Sequence, residues 1–419
     1  MLLKTVMNKP NYLEVTREEK NIKVHQLQHP KVVSRFLEVL KSGIKSGIKE
    51  FCLDFSNIKT SFPNALTPIS GIISYFKTQG ISFTIIDDSE IIKSSNLLNP
   101  IEPIDGKELL NKNVFNKVWR FSNSTQVFWI LSAFLDELSK TDELEKGVLP
   151  GIEWCLYEVM DNVIQHSKAN TGFVMGQIHK SKEHIAFTVF DYGQGIYNSL
   201  KDSTHSPRHP IDAITLSIKE GITRDKKIGQ GNGMFGLHQI IKFNKGSLSI
   251  TSNSAAYFLR NDVGKTFKDI PTISKDKGCT TLDFQLDYSN GFSIEDALNI
   301  NGKPFEYVNY RIENLENDYG NIRYSLKDRA SGYGTRQSGM RVRNEILNIY
   351  KESSKTIIID FKEIAVVSSS FADELIGKLV VELGFFGFNN VIRLKDMNSL
   401  IQSIVQRSVG QRMAEAFSK

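Results

Sequence analysis

Residues 155–166 read CLYEVMDNVIQH, and the predictions of fold and function start from this stretch. Its apolar residues recur at the spacing of an amphipathic helix, so we predict a helix here. Glu158 and Asn162 stand four residues apart and therefore share one helix face, with His166 one turn further along. Taken alone, this pattern indicates a hydrogen-bonded surface stripe, and any other meaning depends on the sequence around it.

A second motif follows an apolar strand in the stretch FTVFDYGQGI, residues 187–196. Asp191 ends that strand, and a carboxylate at a strand end can accept hydrogen bonds from an exocyclic amine. Gly193 and Gly195 come next, and glycine lets the backbone approach a flat ring closely. This segment is therefore a candidate site for a heterocyclic base.

Two further motifs complete the set. The stretch KKIGQGNGMFGLHQIIKF places Gly229, Gly231 and Gly233 ahead of an amphipathic helix. A helix N-terminus exposes backbone N–H groups that favour a phosphate, although a glycine-rich loop alone is a weak signal. The stretch DKGCTTLDFQL puts Thr280 at the start of the last strand of this region.

The order and placement of these four elements resemble the GHKL ATP-binding superfamily, which is named for DNA gyrase B, the heat-shock chaperone, histidine kinases and the mismatch-repair ATPase. The resemblance implies the Bergerat nucleotide fold, of the anti-sigma-factor-kinase and histidine-kinase-like type, with ATP and Mg²⁺ as ligands. A lysine-containing P-loop is missing from the sequence, so a P-loop protein is excluded.

The resemblance also implies roles for individual residues. Asn162 would hold Mg²⁺ against the phosphates, and Asp191 would bind the adenine amine, with Thr280 nearby. Gly193 and Gly195 would line the base. The phosphates would be lined by Gly229, Gly231 and Gly233. Residues 196–228 look like the mobile lid of that family. Glu158 would act as the catalytic general base, or it would only orient Asn162.

The chain divides into three α/β segments. We predict a domain over residues 1–100, a linker at 101–113, an ATP-binding domain at 114–290, a linker at 291–317 and a last domain at 318–419. The fold class is α/β: a central Bergerat sandwich, with helices on one face of a mixed sheet, between two small α/β domains. Both flanking segments carry a strand ending in Asp-Phe, a polar turn, a helix, a glycine and another strand, which indicates a duplicated fold.

The last segment resembles a STAS-like domain, the fold of the anti-sigma-factor antagonists, through DFKEIAVVSSSFADELIG at 360–377. Ser369 matches the serine that accepts phosphate in that family. Ser368 stands where the family has aspartate and Phe371 where it has glycine, which puts acceptor function in doubt. Pro63 occupies the equivalent place in the first segment, so that copy is a structural or partner-binding domain.

Composition restricts the class of protein further. The 419 residues are 40% hydrophobic and 24% charged, with a net charge of +5, and no apolar run reaches the roughly 18 residues of a membrane span. We read no signal peptide. Three widely spaced cysteines indicate reduced thiols, so we expect a cytoplasmic protein. The resemblance to anti-sigma-factor kinases and their antagonists implies a prokaryotic one.

Two weaker signals remain. Five arginines between residues 323 and 343 could bind nucleic acid or phosphate, but a solvated loop or an interdomain contact is the simpler reading. His205 and His209 lie four residues apart, but Pro207 stands between them and no further ligands follow, which argues against zinc.

Together these signals predict an ATP-binding regulatory protein that uses Mg-ATP binding and slow hydrolysis to switch protein partners. We expect protein partners through the STAS-like domains, a homodimer as one option, and no membrane contact. The alternatives are a serine kinase of the anti-sigma-factor type, an ATP-driven dimer clamp acting on nucleic acid, and an ATP sensor without turnover.

Overall fold

Three β-sheets follow one another along the chain, and each has its own helices. The computed structural model describes residues 15–87, 89–109, 113–169, 171–222, 232–268, 278–299, 302 and 309–417. We call the parts built on the three sheets the first, central and third units. The predicted α/β class is confirmed.

The first unit has a four-stranded sheet in the order β1-β2-β3-β4, in which β2, β3 and β4 run parallel and β1 is antiparallel. Its strands and helices are β1 (Val15–Glu18), β2 (Asn21–Val24), α1 (Lys31–Lys45), β3 (Glu50–Asp54), α2 (Pro63–Thr78), β4 (Ser82–Asp87) and α3 (Glu90–Ser95). The sequence predicted that α1 would end at Gly43, but the helix continues through it. A Cβ at position 43 would lie 2.6 Å from the Phe51 ring, so this glycine allows close packing on β3.

The central unit is a seven-stranded sheet in the order β10-β9-β8-β11-β7-β6-β5. Its strands are β5 (Trp119–Phe121), β6 (Gly172–His179), β7 (His184–Asp191), β8 (Ser247–Ser252), β9 (Ala255–Arg260), β10 (Val263–Phe267) and β11 (Thr280–Asp287). Every neighbouring pair of these strands is antiparallel, so the expected mixed sheet is antiparallel instead. The isolated bridge between Ile101 and Trp119, beside this sheet, is parallel.

The helices of the central unit are α4 (Ser124–Thr141), α5 (Val148–His166), α6 (Gly195–Leu200), α7 (Pro210–Ser217), α8 (Gly233–Phe243) and α9 (Ile294–Ala297). The apolar faces of α4, α5 and α8 share one core with the sheet. The other face of the sheet is covered by α2 of the first unit, whose apolar cluster includes Phe173, Phe190 and Cys279 of the central unit.

The segment predicted as a lid without an apolar core differs from that expectation over its described part. Helix α7 buries Ile211 and Ile214 in the central core, next to β8 and β9. Helix α6 begins at Gly195 itself. Residues 223–228 of the predicted lid lie outside the described residues.

The third unit has three parallel strands in the order β12-β13-β14. Its elements are α10 (Tyr310–Glu313), β12 (Ile322–Ser325), α11 (Leu326–Arg329), α12 (Arg336–Ser353), β13 (Ile357–Asp360), α13 (Ser369–Ala372), a π-helical turn (Asp373–Gly377), α14 (Lys378–Leu383), α15 (Phe385–Val391), β14 (Ile392–Lys395) and α16 (Ser399–Phe417). The last strand was predicted from Asn389, but residues 385–391 form a helix after Gly384, which has a φ of +71°.

The first and third units repeat one local arrangement. Asp54 ends β3 and accepts a hydrogen bond from Ser56 N at 2.9 Å, and Asp360 ends β13 and accepts one from Lys362 N at 2.9 Å. Each aspartate also pairs with a cation on the preceding strand, Lys23 in the first unit and Arg323 in the third. The shared arrangement is what a duplicated fold predicts.

All three cysteines carry free thiols, with Cys155 and Cys279 buried. Of the helices in the described ranges, none combines the length and apolar character needed to cross a membrane.

Candidate functional site

The predicted Glu158 and Asn162 lie on α5 where it faces the start of α8. Both side chains are partly buried, and α8 approaches so closely that a Cβ at position 233 would overlap Oε2 of Glu158. The absence of a side chain at Gly233 leaves room for the Glu158 carboxyl between the two helices. Helix α8 thus begins beside the Glu158 side chain, and a helix N-terminus, with its unpaired backbone N–H groups, is a favourable place for an anion.

Burial and a neighbouring carboxylate set the proton affinity of Glu158. Desolvation is the larger cause and the charge of Asp161 the smaller, and together they raise the pKa of Glu158 to about 7. A carboxyl with a pKa near 7 can both accept and return a proton at neutral pH.

Asn162 lies one helical turn beyond Glu158 on the same face. Its Nδ2 atom is buried, and no hydrogen-bond partner for it occurs in the described part of the chain. A buried amide without a hydrogen-bond partner costs free energy unless a ligand or a water molecule provides that partner. The Asn162 amide is thus available to a ligand.

Asp191 ends β7 and faces Thr280 directly across the ladder with β11. Its Oδ1 accepts a hydrogen bond from Gly193 N at 2.9 Å. Burial raises the pKa of Asp191 to about 7, and hydrogen bonds from Gly193 and the Thr280 side chain oppose part of that rise. The carboxyl is a buried acceptor that a further donor would stabilise in its ionised form.

The glycines of the Asp191 loop allow tight contacts with two other motifs. A Cβ at position 193 would overlap the carbonyl of Ser167, which follows α5, and Gln194 N donates to that carbonyl at 2.7 Å. Gly195 has a φ of +74°, a conformation that favours glycine. A Cβ on Gly278, just before β11, would overlap the Gln194 carbonyl. The loop therefore joins the end of α5 to the start of β11.

The structure thus places the predicted residues in two groups that the end of α5 links: Asp191, Gly193, Gly195 and Thr280 at the end of β7, and Glu158, Asn162 and Gly233 between α5 and α8. Gly229 and Gly231 lie outside the described residues.

Sequence reasoning missed several residues of this region. Asp161 was not singled out, although its charge acts on Glu158. Ser252 accepts a hydrogen bond from Ile196 N at 2.9 Å and lies 3.2 Å from the Thr280 hydroxyl. In the sequence, Asn253, which lies in the turn between β8 and β9, was the feature that could have indicated this contact.

The arginines of the arginine-rich segment, residues 323–343, form ion pairs with other residues of the chain. Each of its five arginines forms an ion pair: Arg323 with Asp360, Arg329 with Glu345, Arg336 with Asp373 and Glu374, Arg341 with Glu137, and Arg343 with Glu374. Glu137 belongs to the central unit, so the interdomain-contact reading is confirmed for Arg341.

His209, one of the two histidines, is used at the start of α7. His209 caps α7 together with Asp212, whose carboxylate accepts from His209 N at 3.0 Å. No group of three or more histidine, cysteine, aspartate or glutamate side chains suited to a metal ion occurs within the described ranges.

Ser369 is exposed at the first residue of α13. Ser368 provides the N-cap, and its hydroxyl accepts from Phe371 N at 3.0 Å. The serine that matches the phosphate acceptor by position is therefore accessible.

Comparison with protein families supports the reading of the third unit. Residues 338–402 match the family described as "STAS-like domain of unknown function (DUF4325)". No curated protein matches the chain. The third unit, from α12 to the start of α16, is therefore a STAS-like domain.

Proposed function

We propose that the central unit binds Mg-ATP and uses ATP binding and slow hydrolysis to change which protein partner the chain holds. The buried Asp191 carboxyl carries this proposal. It stands at a strand end, beside two glycines, with a protein donor on Oδ1 and a raised pKa. A carboxylate has about four acceptor positions, so beside the donors Gly193 N and the Thr280 hydroxyl it could also accept from an adenine amine.

The phosphates would lie between the start of α8 and the polar face of α5. Backbone N–H groups at a helix N-terminus suit them, and the Gly233 contact places that N-terminus beside Glu158. Glu158 would accept the proton of an attacking water, because it lies on the same helix face as Asn162 and has a pKa of about 7.

The residues present also fit Mg²⁺. Mg²⁺ takes one or two hard oxygen ligands from the protein and completes its shell with water and phosphate. Asn162 offers an amide oxygen as a ligand, and its buried Nδ2 atom, which has no partner in the described part of the chain, could donate to a phosphate oxygen or a metal-bound water. When bound, the ion would neutralise phosphate charge. Asn162→Ala should therefore weaken ATP binding more with Mg²⁺ than without it, and an equal loss under both conditions contradicts this role.

A serine kinase is the second candidate, because Ser369 is exposed at a helix start. One experiment separates the candidates: incubate the purified chain with ATP labelled on the γ-phosphate and follow both free phosphate and labelled protein. Free phosphate supports the ATPase, and label on Ser369 supports the kinase. Wild type without turnover, alone or with added partner proteins, contradicts both activities and leaves an ATP sensor.

Glu158→Gln sharpens the same assay. It keeps the shape of the side chain and removes its basicity, so we expect retained ATP binding and phosphate release slower by on the order of 10²-fold or more. Glu153→Gln is the matched control, since Glu153 lies on the same helix. Equal turnover in both variants would show that Glu158 only orients Asn162.

A further inference from the structure

We propose that Tyr75 of the first unit is a positioning residue for the loop 191–195, so that the first unit forms part of the nucleotide site. This inference rests on the proposed function of the central unit. The inference extends that function, because it assigns control of the adenine end of the site to a helix of the first unit.

Helix α2 lies on the sheet directly behind the site. Ile69, Ile72 and Ile73 of α2 belong to one buried cluster with Phe173 and Phe190 of the central sheet. A Cβ at Gly71 would overlap the Phe190 ring, so the helix backbone itself touches that ring. Phe190 immediately precedes Asp191, and α2 therefore supports the end of β7.

The same cluster supports the partner strand. Cys279 is buried in it and immediately precedes Thr280, which faces Asp191 and bonds its carboxyl. Both residues of the Asp191–Thr280 pair thus follow a side chain that α2 covers. A displacement of α2 would act on the two strands together.

The most direct contact is between two tyrosines. Tyr75, near the end of α2, stacks on Tyr192, with ring centroids 4.1 Å apart and planes inclined by 20°. Tyr192 also contacts Phe190 edge-on, with centroids 6.2 Å apart. Because Tyr192 stands between Asp191 and Gly193, the stack fixes the residue at the centre of the loop.

The stack of Tyr75 on Tyr192 restricts the motion of the loop that orients the Asp191 carboxyl. The loop forms the bond from Gly193 N to Asp191 and the bond from Gln194 N to the Ser167 carbonyl. With Tyr192 free to rotate, both bonds would open more often, and the carboxyl would lose its fixed direction. A protein that binds the first unit and shifts α2 would change adenine affinity through this contact.

The test uses Tyr75→Ala, with Tyr75→Phe as the conservative variant and Tyr319→Ala, an exposed tyrosine of the third unit, as the matched control. The first readout is hydrogen exchange without nucleotide, for peptides covering residues 191–196. We expect faster exchange there in Tyr75→Ala alone, with unchanged exchange in the third unit. Unchanged exchange at 191–196, or equal acceleration throughout the chain, overturns the proposal.

The second readout is binding of ADP and GDP. Loss of the stack should weaken ADP binding by roughly three- to tenfold and reduce the preference for ADP over GDP, with recovery in Tyr75→Phe. An unchanged preference overturns the positioning role. If wild type binds neither nucleotide, the proposed function fails, while the exchange result still decides whether Tyr75 holds the loop.

Discussion

The two flanking units contact the central unit in opposite ways. The first unit shares an apolar core with it, in which α2 packs against Phe173, Met175 and Phe190. The third unit packs its buried apolar residues into a cluster that, over the described ranges, contains no residue of the central unit. Its contact is made by polar side chains of α12.

These polar contacts surround the turn between α4 and α5. Asn348 accepts from Leu144 N at 2.8 Å and donates to the carbonyls of Ser139 and Asp142 at 2.8 and 2.9 Å. Glu352 accepts from Gly147 N at 2.8 Å. Helix α12 thus provides hydrogen-bond partners for backbone groups at the end of α4 and at the beginning of α5. Helix α5 carries Glu158 and Asn162.

Arg341 adds a charged contact, with two bonds to Glu137 at 2.9 and 2.7 Å. Lys351 bridges Glu143 and Glu145 at 2.7 and 2.8 Å. Water can replace polar contacts of this kind at low cost, whereas an exposed apolar core has no such compensation. We therefore expect the first unit to stay attached and the third unit to separate more readily.

The largest effect should come from the apolar contact. Phe190→Ala removes a fully buried ring between α2 and the central sheet, and we expect the free energy of unfolding to fall by about 3–5 kcal/mol. All three tryptophans, Trp119, Trp129 and Trp154, lie in the central unit, so their fluorescence during urea unfolding reports on it. Phe386→Ala, at a ring 82% exposed in the third unit, is the control and should change little. A loss below about 1 kcal/mol for Phe190→Ala would contradict the shared core.

A smaller effect should follow from breaking the polar contact. Asn348→Ala removes three hydrogen bonds to the turn between α4 and α5, and we expect a loss of about 1–3 kcal/mol that is confined to this contact. Hydrogen exchange should accelerate in peptides covering 139–148, while exchange at 172–191 stays as in wild type. Asn389→Ala, an exposed helical asparagine, is the control. Acceleration across the central sheet would mean that the two contacts are not separable.

The smallest effect concerns pH. Burial raises the pKa of Glu352 to about 7, the charge of Glu295 adds to the rise, and the Gly147 N–H and Lys146 oppose it. Because the docked form holds the proton more tightly than the free form, the contact is strongest below about pH 4.5. It weakens as pH rises toward 7.

We expect exchange at residues 144–148, corrected for the intrinsic pH dependence, to rise by roughly threefold or more between pH 5 and pH 8. Glu352→Gln keeps an acceptor for Gly147 N and cannot ionise, so its corrected exchange should be flat over that range. The same slope in both proteins would assign the pH dependence to another group.

The comparison also explains what sequence could predict. The site motifs are local: Asp191, its glycines and the α5 stripe depend on residues that are close in sequence, so their elements were predicted correctly. Every residue of α2 from Ala65 to Ile73 is buried, as in a helix packed on two sides. The sequence carried a signal for this double contact, because residues 65–73, ALTPISGII, contain no charged residue. The prediction treated it as a helix of one domain.

Two other features gave weaker signals. The hairpin of β9 and β10 was not predicted, since all five residues of β10 are exposed and show no alternation. Its turn at Asn261 and Asp262, with φ of 50° and 60°, was the available signal. Asn344 and Asn348 gave no signal, because their partners in the central unit include backbone carbonyls about 200 residues away in sequence.

Calorimetric titration of the chain with Mg-ATP tests the central claim most directly. We expect one ATP per chain in wild type. Asp191→Asn should weaken binding by about tenfold or more, because an amide matches the adenine amine less well than the carboxylate does. Asp318→Asn, an exposed aspartate of the third unit, should bind as wild type does. Absence of binding in wild type, or equal affinity in wild type and Asp191→Asn, would contradict the assignment of this site.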